Sequence, residues 1–198
     1  MVSSGADRRK RDFYAANVLG MASFLVVSIL VAPLLHESAH MVLMDYFGCP
    51  YRTEIDLSSD YGVQGRLEPA CDMSKRETVY VLGAGVLVNL ALAAALFMAA
   101  SLLHLRDMLT HANYIMYLAL GFLMDPLFYS FAMEGDIVNV LAVLGRQEWV
   151  PLAPILGTAL FALAIAYYYF YTESFMEDYL RIMQEVARAE AFVNRIRG

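Results

Sequence analysis

Long apolar runs alternate with short polar segments along the whole chain. Four of these runs are long enough to cross the hydrocarbon core of a bilayer as helices, which need about 20 residues at about 1.5 Å each. The pattern therefore predicts an all-α integral membrane protein with about four transmembrane helices, in a membrane-embedded domain over 17–172, with helices at about 17–47, 79–103, 113–133 and 150–171.

The third run is irregular. Asp125-Pro126 interrupts it, because a proline in a helix interior removes a backbone hydrogen bond. After Glu134-Gly135-Asp136, the apolar stretch at 136–144 is too short to span a membrane. We expect that stretch to be a broken extension of the third helix or a half-membrane helix.

The segment after the first run, 51–76, changes character. Apolar or β-branched residues alternate with acidic ones from Thr53 to Leu57, and a weaker strand pattern follows around Val63 and Leu67. Between them, Ser58, Ser59 and Asp60 are turn formers. The pattern predicts a small β-hairpin at the membrane surface, with an irregular loop as the alternative.

The two ends of the chain are polar. Residues 1–16 form a polar N-terminal segment with a basic cluster at 8–11. In the tail, 173–198, apolar residues recur at spacings near three and four, which predicts an amphipathic helix. Such a helix lies on the membrane or pairs with a partner helix, and it could join two copies in a homo-oligomer.

Composition supports a membrane location. The chain is 60% hydrophobic, and its mean hydropathy of +0.52 exceeds that of ordinary soluble domains. We expect a multi-pass protein of the cell membrane, with the lipid bilayer as its surroundings. The net charge of -6 includes no basic stripe, so nucleic acid is not an expected partner.

Two features bear on the compartment that faces each loop. Of the 14 Lys and Arg, nine lie in the termini and the 104–113 loop and the other five in the remaining connections, which predicts cytoplasmic termini. Cys49 and Cys71 flank the hairpin segment and could form a disulfide. Free thiols are the expectation, because nothing in the sequence fixes that loop in an oxidising compartment.

The candidate chemistry is concentrated in His36-Glu37-Ser38-Ala39-His40, inside the first apolar run. Histidines four residues apart on a helix share one face and can chelate one metal ion, and the adjacent glutamate can act as a general base toward water. Ionisable side chains are expensive to bury in lipid, so these three are expected to be functional. Two buried neutral histidines bonded to neighbouring helices would be the alternative.

A catalytic zinc site needs a third protein ligand. His104 and His111 belong to a polar loop and are expected to be solvated. Asp136 follows a glycine at a helix start, whereas Asp125 precedes a proline and could instead accept a hydrogen bond from a histidine N–H. Residue chemistry alone leaves these two aspartates as near-equal candidates.

Three pieces in this order resemble the site-2 protease family of intramembrane zinc metalloproteases, over about residues 22–145. They are His36-Glu37-x-x-His40, Gly85-Val-Leu-Val-Asn89 in the next helix, and a carboxylate at a later helix break. The resemblance implies Zn²⁺ held by His36, His40 and Asp136, with Glu37 as general base and Asn89 as a hydrogen-bond donor at the active site. The alternative for Asn89 is a polar residue that bonds helix to helix. The implied activity is hydrolysis of a peptide bond within or near a transmembrane segment of a protein substrate.

The chain departs from the family in the third piece, because Gly135 precedes Asp136 where the family has glycine after the aspartate. Asp125 therefore stays as the alternative ligand. Family members also place their site nearer the cytosol, with the N-terminus outside, which opposes the charge distribution and leaves orientation open. A catalytically inactive relative that acts as a membrane scaffold is a second hypothesis. A membrane zinc enzyme of another kind, such as a prenyl-protein peptidase, is a third. Its third ligand would be a glutamate on another helix, for which Glu134 is a poor candidate.

Overall fold

The computed structural model describes residues 5–59, 62–133 and 135–197, and it confirms the predicted fold class. Within those residues, the chain forms six α-helices and one small antiparallel hairpin. The elements are α1 (Gly5–Val26), α2 (Ala32–Tyr46), β1 (Tyr51–Ser59), β2 (Gly62–Pro69), α3 (Lys75–His104), α4 (Leu109–Ala132), α5 (Asp136–Val143) and α6 (Ala153–Arg197).

Four of the helical stretches are long and apolar enough to cross a membrane: α1 joined to α2, then α3, α4 and α6. Among them, α4 is central. Half of the residues in its most apolar stretch are buried, compared with 11% to 17% in the other three spans. It packs against α1, α3 and α6, so the remaining spans form a layer around it. The chain is a membrane protein built around α4.

The first span is longer than predicted and contains a π-helical turn, Val27–Val31. The helix begins at Gly5 rather than at residue 17, so most of the polar N-terminal segment is helical and continuous with the first span. Pro33 has no N–H to donate to the preceding turn. The π turn directly before it accommodates the missing hydrogen bond. At this proline the first span is therefore locally widened but continuous.

The interruption predicted at Asp125-Pro126 is wrong, because α4 continues through both residues to Ala132. Pro126 is fully buried between packed helices, which tolerate the missing backbone bond. The Ser130 hydroxyl also donates to the Pro126 carbonyl at 2.8 Å. The real break follows Ala132, and the short helix predicted after it is present as α5.

The predicted hairpin is confirmed, with Tyr51 opposite Pro69 and Thr53 opposite Leu67. Just before and after it, Cys49 and Cys71 form a disulfide with their Cα atoms 5.5 Å apart, so the expectation of free thiols was wrong. Cys49 is buried against Met44, and the bond ties the end of α2 to the segment that leads into α3. Sequence spacing could not reveal this pairing.

The first residues of the tail form part of the helical core. α6 runs without interruption through the predicted boundary at 172–173. Tyr171 and Phe175 are buried, and the ring of Phe13 from α1 stacks on Phe175 with centroids 5.6 Å apart. The start of the tail therefore packs on α1 and α4 rather than forming a separate surface helix.

We predict that Gly121→Ala lowers stability. A Cβ at Gly121 would lie 2.8 Å from Val27 Cγ1 and 3.2 Å from the Phe24 carbonyl, so α1 and α4 would have to separate. The expected cost is about 1–3 kcal/mol, measured as a lower denaturation midpoint in detergent. Gly83→Ala is the control, because its nearest neighbour would be 4.0 Å away, and it should be neutral or slightly stabilising. Equal midpoints for the two variants would contradict this close helix contact.

Candidate metal centre

His36 and His40 lie one turn apart on the same face of α2, and both are buried. Their rings meet edge to face with centroids 4.8 Å apart. Pro33 and the π turn lie directly N-terminal to this face. The helix therefore presents two imidazoles side by side, as the sequence predicted.

The structure brings Asp136 onto both histidines. Its Oδ2 lies 2.6 Å from His36 Nε2 and 2.9 Å from His40 Nε2. Asp136 is the first residue of α5, where a carboxylate also faces the positive end of the helix dipole. One oxygen and two ring nitrogens from two distant segments thus converge on one point.

Partners on the far side of each ring fix its tautomer. His40 Nδ1 is 2.6 Å from the Val81 carbonyl, which can only accept a hydrogen bond, so Nδ1 carries the hydrogen. His36 Nδ1 is 2.8 Å from Asp125 Oδ2, which already accepts from an amide, so it too is the donor. In the neutral rings, both Nε2 lone pairs therefore point at the Asp136 oxygen.

This convergence fits a cation. Two nitrogen lone pairs and a carboxylate oxygen repel one another at hydrogen-bond distance unless a positive charge lies among them. Protons on the imidazoles or a metal ion could supply that charge. The side chains of Glu37, Asp125 and Asp136 add three carboxylates to the same membrane-embedded cluster, and a divalent cation could balance their charge.

Glu37 belongs to the same group. One ligand atom from each of His36, Glu37 and His40 can be chosen so that all three lie within 4.8 Å of one another, so this group could hold a metal ion. Glu37 is half-buried, whereas both histidines are enclosed. Its carboxylate is thus beside the candidate metal position and retains access from outside the cluster.

Asp125 lies behind His36 rather than beside Asp136. Its Oδ2 accepts from His36 Nδ1 and from Asn89 Nδ2, each at 2.8 Å. An acceptor in this position orients the ring and raises its basicity as a ligand. Of the two roles that the sequence left open for Asp125, the geometry matches the hydrogen-bond acceptor.

Asn89 is fully buried, and both of its amide hydrogens are in use. Nδ2 donates to Asp125 Oδ2 at 2.8 Å and to the Ala32 carbonyl at 3.0 Å, where it links α3 to α2 beside Pro33. The opposite amide orientation would set its oxygen against these two acceptors. The geometry thus gives no support to the expected donation toward a substrate, and it makes Asn89 a support for Asp125 and His36.

Gly85, one turn before Asn89, lies against the His36 ring. A Cβ at this position would lie 2.3 to 2.6 Å from the Cδ2, Nε2 and Cγ atoms of His36. The imidazole therefore packs directly on the α3 backbone. Gly85 makes room for the ring, and Asn89 on the same helix face holds its aspartate partner.

Sequence reasoning missed Tyr129, and the structure brings its ring onto His36. The two ring centroids are 5.0 Å apart. Gly135, at φ +78°, has its α-carbon so close to Tyr129 that a Cβ would lie 2.4 Å from the ring. A glycine before Asp136 thus permits both the turn into α5 and the tyrosine contact. An aromatic residue in an apolar helix carries no signal of such a role.

The other candidates lie apart from the cluster or outside the described residues. His104 is at the far end of α3, where its Nε2 is 2.9 Å from Asp178 Oδ2 and its ring packs edge-on against Tyr171. It is therefore paired and partly buried, not solvated as expected. His111 is exposed near the same end. Glu134, the ligand considered for a prenyl-protein peptidase, lies outside the residues that the structure describes.

Comparison of the chain with family models, with curated proteins and with solved structures finds no match. Any function of this chain must therefore be inferred from the residues of the site.

We predict that Gly85→Ala strongly reduces metal binding. The new methyl group would occupy the space of the His36 ring and displace Nε2 from Asp136 and His40. The measurement is zinc per protein molecule after purification, by mass spectrometry. Gly83→Ala, two residues away on the same helix with no close neighbour, should bind as much metal as wild type. Equal metal content in both variants would contradict the ring contact.

Asp136→Ala and Asp125→Asn should differ in their effect on metal affinity. Asp136→Ala removes the oxygen that faces both Nε2 atoms, so binding should be nearly lost. Asp125→Asn retains an acceptor oxygen but loses the charge behind His36, and the expected loss is about 10- to 100-fold. Competition titration with a zinc-binding dye measures both. A larger loss in Asp125→Asn than in Asp136→Ala would reverse the two assignments.

Proposed function

We propose that this protein is a zinc-dependent intramembrane protease that resembles the site-2 protease family. The observation that carries the proposal is the meeting of one Asp136 oxygen with both Nε2 atoms of a His-Glu-x-x-His pair, inside a membrane-embedded bundle. Two imidazoles and one carboxylate are a donor set typical of catalytic zinc sites, which leave a further position open. The order of the motif, the Gly-x-x-x-Asn element and the later aspartate agrees with that family.

Each residue of the candidate site has a role in this proposed hydrolysis. His36, His40 and Asp136 would hold the zinc, and Asp125 with Asn89 would keep His36 in the ligating tautomer. Zinc held there would supply Lewis-acid chemistry toward a water molecule and the scissile carbonyl. Glu37 takes a proton from the attacking water and delivers it to the leaving amine as the C–N bond breaks. The products are one new carboxyl end and one new amino end.

The buried positions of His36 and His40 are compatible with hydrolysis inside a bilayer. The rings are enclosed by α3 and by Tyr129, whereas Glu37 and Asp136 are only partly buried. Water and the scissile bond would therefore reach the site from the side of these two carboxylates. The catalytic groups would otherwise remain screened from lipid, in which unpaired charge is expensive.

A substrate helix must unwind before hydrolysis, since its carbonyl groups are bonded within the helix. The hairpin is suited to binding such an unwound substrate, because among the described residues its sheet consists of β1 and β2 only. A free strand edge can pair with an extended peptide through its backbone. The implied substrate is therefore a membrane protein whose transmembrane segment can extend near the hairpin.

We predict that Glu37→Gln retains zinc and loses cleavage. The substitution keeps the size of the side chain but removes the group that accepts the proton, and general-base catalysis typically contributes about 10²- to 10⁴-fold. The assay is cleavage of a model single-span protein in proteoliposomes, with zinc content measured on the same samples. Ser38→Ala is the matched control, because Ser38 is exposed and its hydroxyl donates within its own helix to the Leu34 carbonyl.

Absence of zinc from the wild-type protein would overturn the proposal. Equal cleavage by wild type and Glu37→Gln would also overturn it, since the observed hydrolysis would then come from elsewhere. Zinc binding with no cleavage by wild type across substrates would favour an inactive relative that acts as a scaffold. Loss of cleavage in Glu37→Gln alone, with zinc retained there and in Ser38→Ala, is the expected result.

A further inference from the structure

The connections between helices segregate to two ends of the bundle. The hairpin, the turn into α5 and the segment 144–152 lie at one end, which we call the hairpin end. The first turns of α1, the 105–108 turn and the first tail residues of α6 lie at the other, the terminal end, where Phe13 stacks on Tyr179 with centroids 4.5 Å apart. If the bundle spans a bilayer, each end faces one compartment.

The disulfide identifies the compartment at the hairpin end. Cys49 and Cys71 are joined at the base of the hairpin, outside the helical spans. Disulfides persist in oxidising compartments and are rare where the cytosol keeps thiols reduced. The hairpin end therefore fits the non-cytoplasmic side of the membrane.

The distribution of positive charge agrees independently. Nine of the 14 Lys and Arg belong to the terminal end, including four consecutive ones at 8–11, and five belong to the hairpin end. Excess Lys and Arg near the ends of spans mark the cytoplasmic side. Two unrelated features, one redox and one electrostatic, thus give the same orientation.

The metal centre lies nearer the hairpin end. At about 1.5 Å per residue, His36 is about 15 Å along α2 from Tyr46, the last residue of that helix. Gly85, which contacts His36, is about 28 Å along α3 from His104 at the terminal end. His40, one turn further along, bonds to the Val81 carbonyl and lies closer still to the disulfide.

We propose that the metal centre is reached from the non-cytoplasmic side, and that its substrates are membrane proteins cut in the non-cytoplasmic half of a transmembrane segment. This second statement rests on the proposed proteolytic function, whereas the orientation does not. The orientation is opposite to the one that the family resemblance implies. It also means that the fragment carrying the cytoplasmic part of the substrate keeps most of its membrane span.

Single added cysteines test the orientation while the native disulfide stays in place. Gln147→Cys marks the hairpin end and His111→Cys the terminal end. Both positions are exposed, and neither change alters the number of Lys and Arg. In spheroplasts of a bacterial expression host, a membrane-impermeant maleimide should label Gln147→Cys directly and His111→Cys only after permeabilisation. The exposed pair Glu148→Cys and Met108→Cys should repeat that result.

The native cysteines provide a further readout on the wild-type protein. They should resist maleimide in permeabilised cells until a reductant is added, because they are bonded to each other. Labelling of His111→Cys but not Gln147→Cys in intact spheroplasts would overturn the orientation. Reactive native thiols without reductant would show that the hairpin end carries no disulfide, and they would overturn the proposal.

Cleavage mapping separates the orientation from the function. Model substrates carry the same helix-destabilising segment in either the non-cytoplasmic or the cytoplasmic half of one span, and the cut is located by mass spectrometry. Cleavage of the first substrate only is expected, and cleavage of the second only would overturn the substrate assignment. The predicted labelling with no cleavage of either would leave the orientation standing and overturn the proteolytic function.

Discussion

One Asp136 oxygen, held between the Nε2 atoms of His36 and His40, is the contact on which the membrane-embedded core depends. Apolar burial gives little drive for helices to associate in lipid, so polar contacts and close packing must specify their arrangement. Each helix around the site supplies one part. α2 gives the imidazoles, α3 a carbonyl and an amide, α4 a carboxylate and an aromatic ring, and α5 the converging oxygen. The same contacts thus form the candidate site and fix how the helices are arranged.

The spans, the hairpin and the histidine pair follow from local pattern, and the sequence predicted them because each depends on residues close along the chain. Span length and apolar run coincide, and the four-residue spacing places His36 and His40 on one face whatever surrounds them. Prolines were harder to interpret. Pro33 and Pro126 both lack a donor, yet the first adjoins a π turn and the second lies in an unbroken buried helix. The packing around each proline decides between these outcomes. That packing cannot be inferred from the neighbouring residues in the sequence.

The supporting residues of the site could be found only in three dimensions. Tyr129 lies in an apolar stretch where any large side chain would suit the pattern, and its contact with His36 depends on how α4 faces α2. Asn89 was identified by its motif, but its amide faces Asp125 and Ala32 rather than open space. The disulfide likewise depends on the hairpin bringing Cys49 and Cys71 together across 22 positions. Such contacts join residues whose separation in sequence carries no periodicity.

The exchanged order of glycine and aspartate has a physical explanation in this chain. Gly135 has positive φ, which turns the backbone sharply before α5, and its missing side chain leaves the Tyr129 ring room beside it. Asp136 then begins the helix with its carboxylate directed back at the histidines. What the site requires is an aspartate at a helix start beside a sharp turn, and a glycine on its N-terminal side can provide that turn. The proposed resemblance to the site-2 protease family therefore does not require glycine to follow the aspartate, because Gly135 provides the sharp turn from the N-terminal side.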